Sequence, residues 1–374
     1  MCRLEIYTVV MFVLTTLSAC LPSRLSFVRQ DIMFFVFLFT LLEWERRLFF
    51  SRSAEPDGNE PKRSVVRRLD IGVFILLLLT LLIPAPTITL AFAFLGIIEG
   101  LFHLFWAVAV RFKRYVPGLA SSLLALIAGA RALTVFWSVE IPERGLFVAT
   151  NAIMACGLFF VMERGANRAL ARCFGRTREL PRLALKKGRL LIEHNLETLT
   201  LVMFGLSAGL SVFLGMPTYF QKAALVYMLL YTLHEWEERR LSGGFIQTYA
   251  RLKGVDFPDS RMNALYVPGA ATIVLMTVVP LATGSPALTL VPIYFGLLEA
   301  ATCLGAALTL RKLYLPGLVT GLALAVASVW NLTIYARLGL ATGPEYFLGG
   351  FWLLVVLGAT FFFRQTWREM FPDL

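Results

Sequence analysis

The stretch "LHEWEERRL", residues 233–241, closes a long apolar run with a histidine, three carboxylates and an arginine pair. An earlier stretch, "LLEWERRLF" at 41–49, is the same phrase without the histidine. Reading outward from each, Glu5 to Glu43 is 38 residues and Glu197 to Glu235 is also 38, with no gap needed between them. Further on, "GIIEG" (96–100) matches "GLLEA" (296–300), and "YVPGL" (115–119) matches "YLPGL" (314–318). The chain therefore reads as two parallel copies of one unit.

Each copy is apolar enough to need a membrane. Of 374 residues 58% are hydrophobic and 16% charged, with a mean hydropathy of +0.72. An ordinary soluble domain carries roughly 25% charged residues. A span needs ~20 mostly apolar residues. Candidates run 5–23, 30–48, 69–85, 88–110, 115–137 and 145–163, then 197–215, 219–240, 265–283, 286–310, 314–336 and 345–364. The expected fold is thus an all-α integral membrane protein of about twelve transmembrane helices in two parallel six-helix repeats. The first repeat occupies 1–165, a basic linker 166–192, and the second repeat 193–374.

The net charge of +11 is local. With the N-terminus inside, the stretches 46–68, 111–114, the linker, 239–261 and 311–312 put nearly every basic cluster on the cytoplasmic side. By the positive-inside rule both termini are cytoplasmic, and the expected location is a cell membrane (inner or plasma), crossed many times. Nucleic acid is not the implied partner; membrane lipids are. "LSAC" at Leu17–Cys20 has the outline of a lipoprotein cleavage signal, but Arg3 against Glu5 makes a weak basic leader. The repeat gives this segment a helical counterpart instead. The five cysteines, Cys2, Cys20, Cys156, Cys173 and Cys303, have no CxxC spacing, so neither a disulfide framework nor a cysteine metal site is expected.

Ionisable groups in a bilayer cost ~2.5–3.5 kcal/mol each at a helix centre and persist when paired or lining a cavity. Spacings of three and four put His234, Glu237 and Glu238 on one helix face. Glu235 pairs with Arg239 as an ordinary helix end would, and a solvated end is the competing reading for the whole motif. His194 and Glu197 stand one turn apart at the start of the preceding span. Counted from the outer turn near Met216, Glu197 and His234 both lie ~28 Å down. Glu99 and Glu299 correspond between the copies, each ~18 Å into the bilayer from Arg111 or Arg311. Either a neutral carboxyl tying helices together or a site residue fits them. His103 lies one turn from Glu99, and its counterpart is Cys303. In the first copy Cys2, Glu5, Leu42, Glu45 and Arg46 replace His194, Glu197, His234, Glu237 and Glu238, so that copy is degenerate. Arg131 and Asn331 read as helix–helix glue or a snorkelling charge.

Imidazole and carboxylate at these spacings form a ligand set for Zn²⁺, Fe²⁺ or Mn²⁺. In such a site His234, Glu238, His194, Glu197 and His103 are candidate ligands. Glu237, Glu299 and Glu99 are candidate catalytic groups, with Glu237 a ligand or general base. The order HxxEE also resembles the HxxEH zinc-peptidase motif with its last ligand changed.

Residues 233–318 resemble the HXXEE-motif family of polytopic membrane proteins. The elements that carry this are "LHEWEE", "GGF" (243–245), the mid-span glutamate of "GLLEA" and "YLPGL". The family has no established activity; the resemblance implies a membrane protein whose histidine and glutamates point to an enzyme. It maps onto His234, Glu237, Glu238 and Glu299. The family's later histidine is Cys303 here, while the first copy keeps it as His103, which opens the alternative of a composite site. Twelve spans also describe the major facilitator transporters, but neither corresponding loop contains their Gly/Asp/Arg motif.

Three functions stay open at this stage. The first is a metal-dependent membrane-embedded enzyme, hydrolase- or oxidoreductase-like, with its site in the cytoplasmic half of the bilayer and a lipid or amphipathic substrate. The others are a proton-coupled transporter using Glu99 and Glu299, and a structural membrane protein.

Overall fold

The computed structural model describes residues 3–20, 26–50, 86–109, 118–138, 148, 151–153, 155, 195–214, 217–240, 244–252 and 259–370. The expected span at 69–85, most of that at 145–163, the linker 166–192 and His194 lie outside the described residues. The chain divides into two compact units, 1–187 and 188–374.

The first unit contains α1 (Arg3–Cys20), α2 (Ser26–Phe50), α3 (Pro86–Ala109) and α4 (Leu119–Ser138). The second contains α5 (Asn195–Leu214), α6 (Tyr219–Arg240), α7 (Phe245–Leu252), α8 (Asp259–Thr283), α9 (Pro286–Leu310), α10 (Leu318–Leu338) and α11 (Gly343–Met370). The described residues contain no strand. Among the described residues five helices are long and apolar enough to cross a membrane: α4, α8 (from Tyr266), α9, α10 and α11 (to Phe362).

In a bilayer, backbone and polar groups have to be satisfied inside the protein. The helices do this locally. Ser285 caps α9 with Pro286 at its first position, which needs no N–H there. The carbonyl of Leu281, in the last turn of α8 where no helical N–H reaches it, accepts from Gln221 Nε2 at 3.1 Å. Buried threonines such as Thr200, Thr232 and Thr277 donate to the carbonyl four residues back.

The core of the second unit is α9, which packs against α6, α8, α10 and α11. Tyr227 and Tyr231 on α6 are fully buried against it. Tyr231 donates to the Pro292 carbonyl at 2.6 Å, and Tyr227 lies 3.0 Å from Ser328 Oγ on α10. Asn331 accepts from the Tyr219 hydroxyl at 2.6 Å, a helix–helix contact. In the first unit Arg131 on α4 has a charged partner instead, Asp31 on α2, at 2.8 Å.

One pair of tryptophan bonds recurs. Trp44 Nε1 donates to Thr8 Oγ1 at 2.8 Å, and Trp236 Nε1 donates to Thr200 Oγ1 at 2.7 Å. Both bonds span 36 residues and join the second helix of a unit to its first.

Candidate functional site

The site is built where the end of α6 meets the start of α10. The loop between α9 and α10 turns at Gly317, whose φ of +91° is left-handed. A β-carbon there would stand 2.8 Å from Glu238 Cγ, 3.0 Å from its Oε1 and 3.2 Å from His234 Cε1. Glycine is thus required twice over, by backbone conformation and by the side chains pressed against it.

That turn aims the first backbone N–H groups of α10 at Glu237. Glu237 Oε1 accepts from Val319 N at 3.1 Å, and Oε2 accepts from Thr320 N at 2.7 Å and Thr320 Oγ1 at 2.5 Å. These are donors that no helical carbonyl serves, and a carboxylate at a helix N-terminus also meets the favourable end of its dipole. Glu237 was expected to be a ligand or general base. In the structure both of its oxygens accept from the start of α10, which ties α6 to α10.

The same hydroxyl orients the histidine. Thr320 gives its one hydroxyl proton to Glu237, so it can only accept from His234 Nδ1, 2.9 Å away. Nδ1 is therefore the protonated nitrogen, and Nε2 is turned the other way. His234 is 3% exposed, and its Nε2 has no hydrogen-bond partner.

Three groups surround Nε2. Glu238 Oε1 lies at 3.4 Å and Glu299 Oε2 at 3.9 Å. Cys303, one turn after Glu299 on α9, is 1% exposed. The donor atoms of His234, Glu238 and Cys303 all lie within 4.8 Å of one another. Glu238 and Glu299 keep 18% and 28% side-chain exposure, so the group has an open side.

The remaining charges of the motif do structural work. Glu235 forms an ion pair with Arg239, whose guanidinium lies 3.8 Å over the Tyr266 ring on α8. Arg240 forms an ion pair with buried Glu197 on α5. Glu197 was expected level with His234 as a ligand. In the structure its carboxylate is paired with Arg240 in the last turn of α6.

In the first unit, His103 Nδ1 lies 3.0 Å from the Glu99 carbonyl and 3.4 Å from its Oε2. Both side chains are buried. Glu45 caps α4 as Glu237 caps α10, accepting from Ser121 N at 3.1 Å and Ser121 Oγ at 2.6 Å. Gly118 has φ +92°, and a β-carbon there would meet Leu42 Cδ1 at 2.8 Å and His103 Nε2 at 2.9 Å.

Thr320 does not stand out in the sequence, and Cys303 stands out only as the counterpart of His103. The signal for Thr320 is the hydroxyl that stands three residues after the turn glycine in both copies, as Ser121 and Thr320. For Cys303 it is the position of His103, although no cysteine metal site was expected.

The motif, its turn and the mid-span glutamate thus meet in one cluster. Residues 225–331 match the family described as a protein of unknown function with HXXEE motif. The HXXEE segment contains all of α9, most of α6 and the capped start of α10, hence every member of the cluster. No curated protein and no solved structure matches the chain.

Proposed function

We propose that the chain is a metal-dependent enzyme embedded in a cell membrane, inner or plasma, with its site in the HXXEE segment. The observation that carries this reading is the orientation of His234. A buried imidazole is fixed through Nδ1 by a hydroxyl that a carboxylate holds in turn, and it presents Nε2 to carboxylates with no hydrogen bond of its own. Metal-binding histidines are oriented in this way by the groups behind them. The distances fit. Zn–N and Zn–O bonds of ~2.0–2.2 Å at tetrahedral angles separate the two donors by about 3.4 Å, and His234 Nε2 to Glu238 Oε1 is 3.4 Å.

In this reading His234 and Glu238 hold the ion, and a divalent metal there would supply Lewis acidity toward a substrate oxygen. Glu299 sits beside them on the open side, where its carboxylate can take or return a proton. Glu237 and Thr320 fix the histidine. Because the cluster is enclosed by apolar helices, the substrate is lipid-soluble or amphipathic.

The wider frame is twelve spans in two parallel repeats with cytoplasmic termini. The repeat is supported by the paired tryptophan bonds, the paired carboxylate caps of Glu45 and Glu237, and the matching φ of Gly118 and Gly317. The cytoplasmic side follows from the charge bias of the loops.

The test is elemental analysis of full-length protein purified without chelators. Stoichiometric divalent metal in the wild type, lost in His234→Ala, is expected. Metal-free protein that takes up solute in a proton-driven manner abolished by Glu299→Gln would replace the enzyme with a carrier.

A further inference from the structure

We infer that Cys303 is the third protein ligand of this site, as a thiolate, and that the resident ion is therefore of the Zn²⁺ type. The inference rests on the metal reading above and narrows it. A lone buried cysteine usually behaves as a small hydrophobe. Cys303 differs in what it faces. A ring nitrogen of His234, a side chain 3% exposed whose Nε2 has no hydrogen-bond partner, and a Glu238 carboxylate oxygen both lie within 4.8 Å of Sγ. An inert apolar thiol does not need two polar donors turned toward it.

Cys303 faces the start of α10: a β-carbon at Gly321 would stand in ordinary contact with it, 3.5 Å from Cys303 Cβ and 3.6 Å from Sγ. The first unit carries an imidazole, His103, at the corresponding position, also one turn after a glutamate. Both copies thus place a nitrogen or sulfur donor there. A tetrahedral ion with bonds of ~2.3 Å to sulfur and ~2.0 Å to nitrogen separates those atoms by about 3.6 Å. Rotamer adjustment within the 4.8 Å envelope reaches that spacing.

A nitrogen, oxygen and sulfur set discriminates between metals. Thiolate favours Zn²⁺ and disfavours Mg²⁺, Ca²⁺ and Mn²⁺, which take oxygen ligands. Three protein ligands with an open fourth position is the pattern of catalytic zinc. Zinc has no redox chemistry, so the reaction class becomes hydrolysis or another acid–base reaction rather than oxidation. Binding converts Cys303 S–H to an S–metal bond and releases the proton to solvent.

Co²⁺ titrated into metal-stripped full-length protein in detergent reads the ligands directly. Wild type is expected to show visible ligand-field bands and a near-ultraviolet sulfur-to-cobalt charge-transfer band. Cys303→Ser is expected to keep ligand-field bands but lose the charge-transfer band, with Co²⁺ affinity down by at least the ~10–100-fold that an outer partner costs. Cys303→His, which carries the residue of the first copy, is expected to restore affinity without that band. Ligand-field bands with no charge-transfer band in wild type, or a band that survives in Cys303→Ser, overturns the thiolate while the metal reading stands. No Co²⁺ spectrum in wild type, with the fold intact by circular dichroism, removes the metal reading as well.

Discussion

Glu237 and Thr320 join the last turn of α6 to the first turn of α10 through two bonds to one carboxylate oxygen, at 2.7 Å from the backbone and 2.5 Å from the hydroxyl. The hydroxyl bond forces Thr320 to accept from His234, so a helix cap also determines the tautomer of the histidine. Cap and site are one device. The charged helix end and the proposed ligand set, which compete as readings of the sequence, share the same turn of α6.

Thr320→Val keeps the shape of the side chain and the backbone half of the cap, but removes the acceptor for Nδ1. Metal affinity is expected to fall about 10–100-fold, and Thr320→Ser is expected to recover most of it. Competition against a chromogenic chelator measures both. Unchanged affinity in the valine variant would mean that the hydroxyl does not hold the ring.

Gly317→Ala places a β-carbon 2.8 Å from Glu238 Cγ at a residue with φ +91°. Where φ is positive, alanine costs more than the ~0.4–1 kcal/mol that it gains elsewhere. The clash also displaces a proposed ligand. Gly118→Ala carries the same backbone penalty, but its β-carbon meets Leu42 and His103. Both variants are expected to unfold earlier in a thermal scan, and only Gly317→Ala is expected to lose metal. Equal metal loss in the two would trace the effect to folding.

The sequence carried the helical membrane class of the molecule, because apolar content does not depend on three-dimensional detail. It could not carry which side chain each carboxylate meets. Counting residues from a turn assumes that two helices start level, and in the structure Glu197 pairs with Arg240. Glu237 is a different case. Its position on the helix face was legible, but its partners are N–H groups 82 and 83 residues away, delivered by the turn at Gly317. Cys303 was discounted on spacing rules, which describe ligands close in sequence and not one contributed by a facing helix.

Trp236→Phe separates scaffold from site. It removes the bond to Thr200 while keeping a ring in place, at an expected cost of about 0.5–1.5 kcal/mol, and it leaves bound metal unchanged. Trp44→Phe is expected to cost a similar amount through Thr8. Thr200→Val combined with Trp236→Phe should cost less than the sum of the two, since one bond is lost only once. Unfolding in detergent, followed by tryptophan-independent circular dichroism, tests each arm. Strict additivity would show that the bond contributes no coupling.

The first unit offers the most demanding test, because it keeps the scaffold of the site without its ligands. Glu45 caps α4, Ser121 Oγ gives its proton to Glu45 at 2.6 Å, and Gly118 repeats the left-handed turn. Ser121 is therefore placed to accept from an imidazole at position 42, as Thr320 does from His234. Leu42 supplies no donor, and the sequence carries Arg46 at the position that corresponds to Glu238. His103 and Glu99 are already present on α3. Leu42→His together with Arg46→Glu is expected to raise bound divalent metal from about one to about two per chain, by completing a nitrogen and oxygen set on a preformed frame. Leu42→His alone should bind weakly, since position 46 then still lacks a carboxylate. Elemental analysis of the two variants beside wild type decides it. A double variant that folds and still binds only one equivalent would show that the carboxylate cap and left-handed turn are not sufficient to orient a ligand histidine.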